Sequence, residues 1–206
     1  MTYDQEKALK ELQDALDKPM RTFTIYQDMD GCIADFCLGF SRHVFSMANN
    51  PLSYNHSKTI KKAMPEFIEK FGASYRPLTE EEVNDPVCRP LIYKIGAMNG
   101  FFYSLPLLDN GVWEIAKNSG HRIKFLSAPI GDYAVADKTR WIREKLKSEF
   151  EVIVVPRAEK VHYADEYSIL IDDYEKTCKQ WWEGGFNAFH WKPGREEELK
   201  SYLRKF

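Results

Sequence analysis

The sequence predicts an α/β fold, a doubly wound parallel sheet that carries an all-helical insertion after its first strand. Three observations predict it. From His121 onward, short β-branched or apolar runs alternate with stretches of helical period, the pattern of a parallel sheet covered by helices. A further run of the same kind, Thr22-Phe23-Thr24-Ile25-Tyr26, stands near the N-terminus. Between Phe36 and about Leu105 no buried strand can be read, and roughly 70 residues is too long for an ordinary loop. The expected division is a core of residues 1-35 and 105-206 with a helical cap of 36-104.

Taken in order, Gln5 to Lys18 sets Ala8, Leu9, Leu12, Ala15 and Leu16 at helical spacing, and Pro19 closes this packing helix. The run Thr22 to Tyr26 is a buried strand and meets Asp28-Met29-Asp30-Gly31 almost at once. Ile33, Phe36, Cys37, Phe40, Val44 and Phe45 recur three and four apart, predicting a helix over 33-47 that Asn49-Asn50-Pro51 breaks. A second helical stretch, His56 to Phe71, is expected to be interrupted by Pro65 and ended by Gly72. Thr79-Glu80-Glu81-Glu82 fits a capping box and starts a short helix before Pro86.

The alternating pattern then returns. Gly111 to Ser119 reads as a short helix, and His121 to Leu126 as a strand ending at Ser127-Ala128-Pro129-Ile130. Asp137 to Lys147 is a helix with Trp141, Ile142 and Leu146 on one face. Glu151 to Val155 is nearly all apolar, as in a strand buried on both faces of a parallel sheet. Tyr167 to Ile171 is another strand, ending at Asp172-Asp173. Tyr174 to Trp182 is a helix stopped by Gly184-Gly185, Asn187 to Trp191 the last strand, and Glu196 to Phe206 a terminal helix.

Composition narrows the function classes. Hydrophobic content of 44% and charge of 29% over 206 residues suit one soluble globular domain with a cap. A net charge of −2 gives no electrostatic case for a nucleic acid polymer or an acidic membrane as the main partner. The four cysteines, Cys32, Cys37, Cys88 and Cys178, form no C-x-x-C pair and read as reduced thiols. The charged N-terminus lacks an apolar core, so neither a signal peptide nor a membrane span is expected there, and the expected location is cytoplasmic. Scattered histidines with no i, i+4 pair argue against a zinc site, and the absence of G-x-x-x-x-G-K-[ST] and G-x-G-x-x-G argues against nucleoside triphosphate or dinucleotide chemistry.

Three predicted strands end in polar groups: Asp28 and Asp30, Ser127, and Asp172 with Asp173. Lys160 lies in the loop before the last pair. The carboxyl ends of parallel strands share one edge, so these distant groups converge there. Acids this close raise one another's pKa, and keeping them ionised calls for a metal or a lysine. Together they supply a nucleophile, an acid, a metal holder and donors for phosphate oxygens.

At these residues the chain resembles the haloacid dehalogenase (HAD) superfamily of aspartate-nucleophile phosphatases. The matching pieces are D-M-D-G at Asp28 to Gly31, the strand-ending Ser127, Lys160, and I-D-D at Ile171 to Asp173. D-M-D-G-x-x-A-D-F with L-S-A-P-I and L-I-D-D looks most like the 5'(3')-deoxyribonucleotidase branch. The resemblance implies a HAD-like Rossmannoid core and a Mg2+-dependent phosphomonoesterase. Asp28 would attack phosphorus, and Asp30 would protonate the departing oxygen and then deprotonate water. Mg2+ would be held by Asp28, the main-chain carbonyl of Asp30, and Asp173, with Asp172 behind it because adjacent strand residues point oppositely. Ser127 and Lys160 would bind the phosphoryl oxygens. Ala128 replaces a second hydroxyl, and the spacing from Lys160 to Asp172 is slightly long, so Lys138 is a rival or partner for the phosphate. Phe36 either meets the base, as an aromatic does in that branch, or packs as cap core; Ile130 is a pocket-lining candidate; and Arg157 either helps bind phosphate or is a solvated loop residue. The partner implied is a small phosphorylated substrate, with a nucleotide favoured; a homodimer is left open. A receiver-type phospho-accepting module and a non-catalytic ligand-binding relative are the alternatives from other classes.

Overall fold

The computed structural model describes residues 22–54, 57–147 and 149–206. The helix expected over Gln5 to Lys18 lies outside the described residues. Five strands form one sheet: β1 (Thr24–Gln27), β2 (Arg122–Ser127), β3 (Val152–Val154), β4 (Ser168–Asp172) and β5 (Asn187–His190). Their order is β3-β2-β1-β4-β5 and every pair is parallel. Thr24 is level with both Arg122 and Ser168, and Gln27 with both Phe125 and Ile171, which puts β1 at the centre. This is the α/β parallel sheet the alternation predicts.

Helices cover both faces. Between β1 and β2 every described element is helical: α1 (Phe36–Asn49), α2 (Lys58–Phe71), α3 (Glu80–Val83), α4 (Arg89–Gly96), α5 (Val112–Lys117) and 3-10 turns at Pro51–Tyr54 and Phe102–Ser104. α6 (Ala134–Leu146), α7 (Glu175–Glu183) and α8 (Glu196–Leu203) follow β2, β4 and β5, and a 3-10 turn at Arg157–Tyr163 follows β3. Ile25 points into the larger core with Phe40, Trp141 and Trp191; Tyr26 points the other way, with Leu126, Leu170 and Trp181. Period-two alternation on one strand thus feeds two cores.

Local chemistry sets the helix ends. Asp35 caps α1 by accepting the Leu38 N–H at 2.8 Å, so the helix starts three residues later than its apolar spacing suggests. The capping box forms as expected: Thr79 accepts the Glu82 N–H at 3.2 Å and Glu82 accepts the Thr79 N–H at 2.9 Å. Arg76 also grips Glu82, and these bonds hold its carboxyl down at about 2.

Two expectations are corrected. α2 runs unbroken through Pro65, which sits on the exposed face while Ile60, Ala63, Met64 and Phe67 are buried. An interior proline costs ~3 kcal/mol, and burial of Ile60, Met64 and Phe67 at about 1.5 kcal/mol or more each outweighs it. β3 is a three-residue edge strand, half-buried throughout and not enclosed on both faces. An apolar run fits either place; its rank in the sheet decides. Among the described residues no helix is long and apolar enough to cross a membrane.

Candidate active site

β1 delivers the first acids. The Asp28 N–H donates to the Ile171 carbonyl at 2.9 Å, which carries the ladder one residue past the strand and sets Asp28 beside the end of β4. Buried Gln27 secures the same residue, its Nε2 donating to the Asp28 carbonyl at 3.0 Å. The chain then turns sharply, with the N–H groups of Ile33 and Ala34 both donating to Met29 O. Gly31 lies in this turn at φ +73°, and a Cβ there would sit 2.0 Å from Oδ2 of Asp173. Glycine meets two needs, the left-handed turn and the approach of the second acid pair. Gly31→Ala is expected to lose roughly 1–2 kcal/mol to backbone strain alone, and to displace Asp173. Urea unfolding and Mg2+ titration check it; an unchanged stability and metal response would show that Asp173 has room to move.

Four carboxylates and two ammoniums meet at this edge. Lys160, 1% exposed on the Arg157–Tyr163 turn, places Nζ 2.7 Å from Oδ2 of Asp172 and 3.0 Å from Oδ1 of Asp28. The other Asp172 oxygen accepts the Tyr174 N–H at 2.8 Å. Lys138, fully buried on α6, donates to Oδ2 of Asp30 at 2.6 Å, to Oγ of Ser127 at 2.8 Å and to the Ala128 carbonyl at 2.8 Å. Carboxylate oxygens of Asp28, Asp172 and Asp173 all lie within 4.8 Å of one another.

Burial and charge pull these acids apart. Burial pushes Asp28 up, but Lys160 and Lys138 outweigh it and hold the carboxyl below its ordinary range. Burial, aided by Asp28, leaves Asp30 above its ordinary value despite Lys138. Asp172 is raised by burial and by Asp28. Asp173 forms no ion pair among the described residues; burial, Asp28 and Asp172 push it well above the usual range. Burial disfavours the charge on Lys160, yet Asp28 and Asp172 prevail and its pKa is raised.

The donor set fits a hard divalent cation. Four carboxyl groups against two ammoniums leave acids in excess of the cations that could pair with them. Oδ1 of Asp28 lies 3.0 Å from Lys160 without hydrogen-bond alignment, and Oδ1 of Asp30 has no hydrogen-bond partner among the described residues; both atoms are buried. Oxygen-only sets of this kind suit Mg2+, Ca2+ or Mn2+. Cys32 nearby offers no thiolate, since burial and Asp173 drive its thiol well up.

The remaining predicted residues stand as follows. Ser127 ends β2, fully buried, and joins the site through Lys138. Phe36 is half-buried, parallel to Phe40 at 6.5 Å and edge-on to Phe101 at 5.6 Å. Ile130 packs on Gly96 at the end of α4, where a Cβ would lie 2.8 Å from its Cγ2. Arg157 is exposed, its guanidinium 3.9 Å over the Tyr174 ring. Sequence reasoning missed Gln27, whose signal was a polar side chain ending an apolar strand; it reads Phe102 as one of the cap aromatics, more often core than pocket, and the ring centre lies 4.3 Å from the Lys138 ammonium.

No family model matches the chain, and no curated protein matches it. Solved structures do. A hydrolase from Streptococcus pneumoniae TIGR4 aligns at 14% identity and TM-score 0.48, over 90% of this chain and 100% of that one. The HAD-hydrolase YfnB from Bacillus subtilis, bound to magnesium, aligns at 16% identity and TM-score 0.45, over 82% and 86%. The HAD family enzyme bt-2542 from Bacteroides thetaiotaomicron, in complex with magnesium and inorganic phosphate, aligns at 14% identity and TM-score 0.38, over 84% and 96%. At such scores the chemistry must be read from the site's own residues.

Proposed function

We propose that the chain is a Mg2+-dependent phosphomonoesterase of the HAD superfamily that works through an aspartyl-phosphate on Asp28. The observation that carries this reading is the Lys160 bridge between Asp28 and Asp172, with Asp173 in the same group of carboxylates. It keeps an acid ionised beside a divalent-cation site, which a nucleophile for phosphorus requires.

An Asp28 oxygen attacks phosphorus as the ester P–O bond breaks, and the bond's electron pair leaves on the alcohol oxygen. Asp30, whose carboxyl is raised, gives that oxygen its proton. Water then attacks the phosphorus of the aspartyl-phosphate, Asp30 takes its proton, and the P–O bond to Asp28 breaks to release phosphate. Ser127 and Lys160 meet the phosphoryl oxygens, over which a loose transition state spreads charge. Asp28, Asp172 and Asp173 would hold the metal, which supplies charge neutralisation at the phosphoryl oxygens when bound.

Residues 36-104 serve as a cap. Supporting this, Phe102 covers Lys138, Gly96 packs on Ile130, and Glu80 pairs with Lys192 across the edge at 2.9 Å. The substrate is a nucleoside monophosphate, with a deoxynucleotide preferred. The half-buried Phe36 ring among Phe40 and Phe101 supports it, since aromatic faces suit a planar base.

A panel of nucleotide and sugar phosphates with Mg2+, read as free phosphate, tests both levels. Repeated turnover on deoxynucleoside monophosphates is expected. Preference for sugar phosphates would remove the nucleotide reading, and no turnover on any ester would remove the enzyme.

A further inference from the structure

We propose that Lys138 is a positioning residue for Asp30 and not a ligand of the phosphoryl group, an inference that rests on the phosphomonoesterase reading above. An ammonium has three N–H donors. Those of Lys138 go to Oδ2 of Asp30, Oγ of Ser127 and the Ala128 carbonyl, at 2.6, 2.8 and 2.8 Å. None remains for a phosphoryl oxygen. The Phe102 ring, 4.3 Å away, covers another side of the ammonium, and the side chain is fully buried. Turning to follow a substrate would give up the buried bond to Ser127 or a part-buried one to Asp30 or Ala128, a costly exchange.

Two consequences follow for its neighbours. Oδ2 of Asp30 is pinned, while Oδ1 has no hydrogen-bond partner among the described residues. Oδ1 is therefore the oxygen left to meet the leaving group. Ser127 accepts from Lys138, so its own O–H points elsewhere and is free to donate to the phosphoryl group. The two lysines divide the site: Lys160 holds Asp28 and Asp172, whereas Lys138 holds the general acid and the hydroxyl. Phe102 belongs to the helical segment after β1, so that segment's packing bears on the acid through one ammonium.

Leaving-group dependence separates this role from phosphate binding. An alkyl phosphomonoester needs its leaving oxygen protonated; p-nitrophenyl phosphate releases a stable phenolate without help. With general acid catalysis typically worth ~10² to 10⁴, Lys138→Met is expected to lower kcat ~10³-fold on the alkyl ester but only about tenfold on p-nitrophenyl phosphate. Competitive inhibition by inorganic phosphate should keep its strength. In an Asp30→Asn background, Lys138→Met should add little further loss on the alkyl ester, since the two act as one unit. If Lys138→Met does not fold, Lys138→Gln is read the same way. Equal losses on both esters with weakened phosphate inhibition would overturn the proposal and leave the phosphatase standing. A wild-type chain that turns over neither ester removes the reading itself and this inference with it.

Discussion

Asp28→Asn is expected to abolish phosphomonoester hydrolysis, with kcat falling on the order of 10⁴-fold or more, the scale seen when a nucleophile is deleted elsewhere. The amide keeps the size of the carboxyl and removes the anion, so the loss reports chemistry and not shape. Lys160 still has Asp172 at 2.7 Å, which keeps the buried ammonium paired. A folded variant is therefore expected, with circular dichroism unchanged. Hydroxylamine trapping adds a direct readout: wild-type chain incubated with substrate should yield a modified residue 28, and the variant none. An Asp28→Asn protein with full turnover would overturn the nucleophile assignment whatever its metal response. Asp28 is singled out over its neighbours because the two lysines hold its carboxyl below the ordinary range while Asp30, Asp172 and Asp173 are all raised.

Much of this arrangement was legible before any coordinates, because it depends on local rules. The strand-then-acid order of Tyr26 to Gly31, and the alternation after His121, required a parallel sheet whose ends meet at one edge. What local rules miss is rank, neighbours and exact endings. α4 went unread because Pro90 and Gly96 look like punctuation; Pro90 instead opens the helix, where its missing N–H costs nothing. The opposite-pointing argument for Asp172 and Asp173 assumes that both are in the strand. β4 ends at Asp172, so Asp173 is released from the alternation and turns back to Asp28 and Gly31. The long interval from Lys160 to Asp172 is absorbed by the 3-10 turn and the loop after it, and the two side chains still meet. Lys138 was visible as a lysine on the right helix; its three partners were not, since they come from β2, the loop after it and the turn after β1.

Asp173 carries the second large expectation, because the same carboxyl opposes folding without metal and favours it with metal. Its folded-state pKa is raised above the ordinary value of 3.8, by burial first and then by Asp28 and Asp172. For a carboxyl shifted in this direction, the unfolded chain ionises first as pH rises. The contribution of this carboxyl to metal-free stability is thus greatest below that ordinary value and is lost as pH climbs toward the folded-state pKa. A divalent cation reverses the sign by stabilising the ionised form. Mg2+ should therefore raise Tm more at about pH 7.5 than at about pH 5, by a stabilisation of about 2.7 kcal/mol at 100 times its Kd. Asp173→Asn should do two things at once: raise the metal-free Tm near neutral pH and abolish the Mg2+ shift, along with turnover. Thermal scans with EDTA and with Mg2+ at both pH values read every part of this. A variant that is less stable without metal, or that still gains stability from Mg2+, would show that the cation is held without Asp173. The opposed effects of one substitution on stability and on metal binding are what separate a built cation site from a surface that merely collects acids.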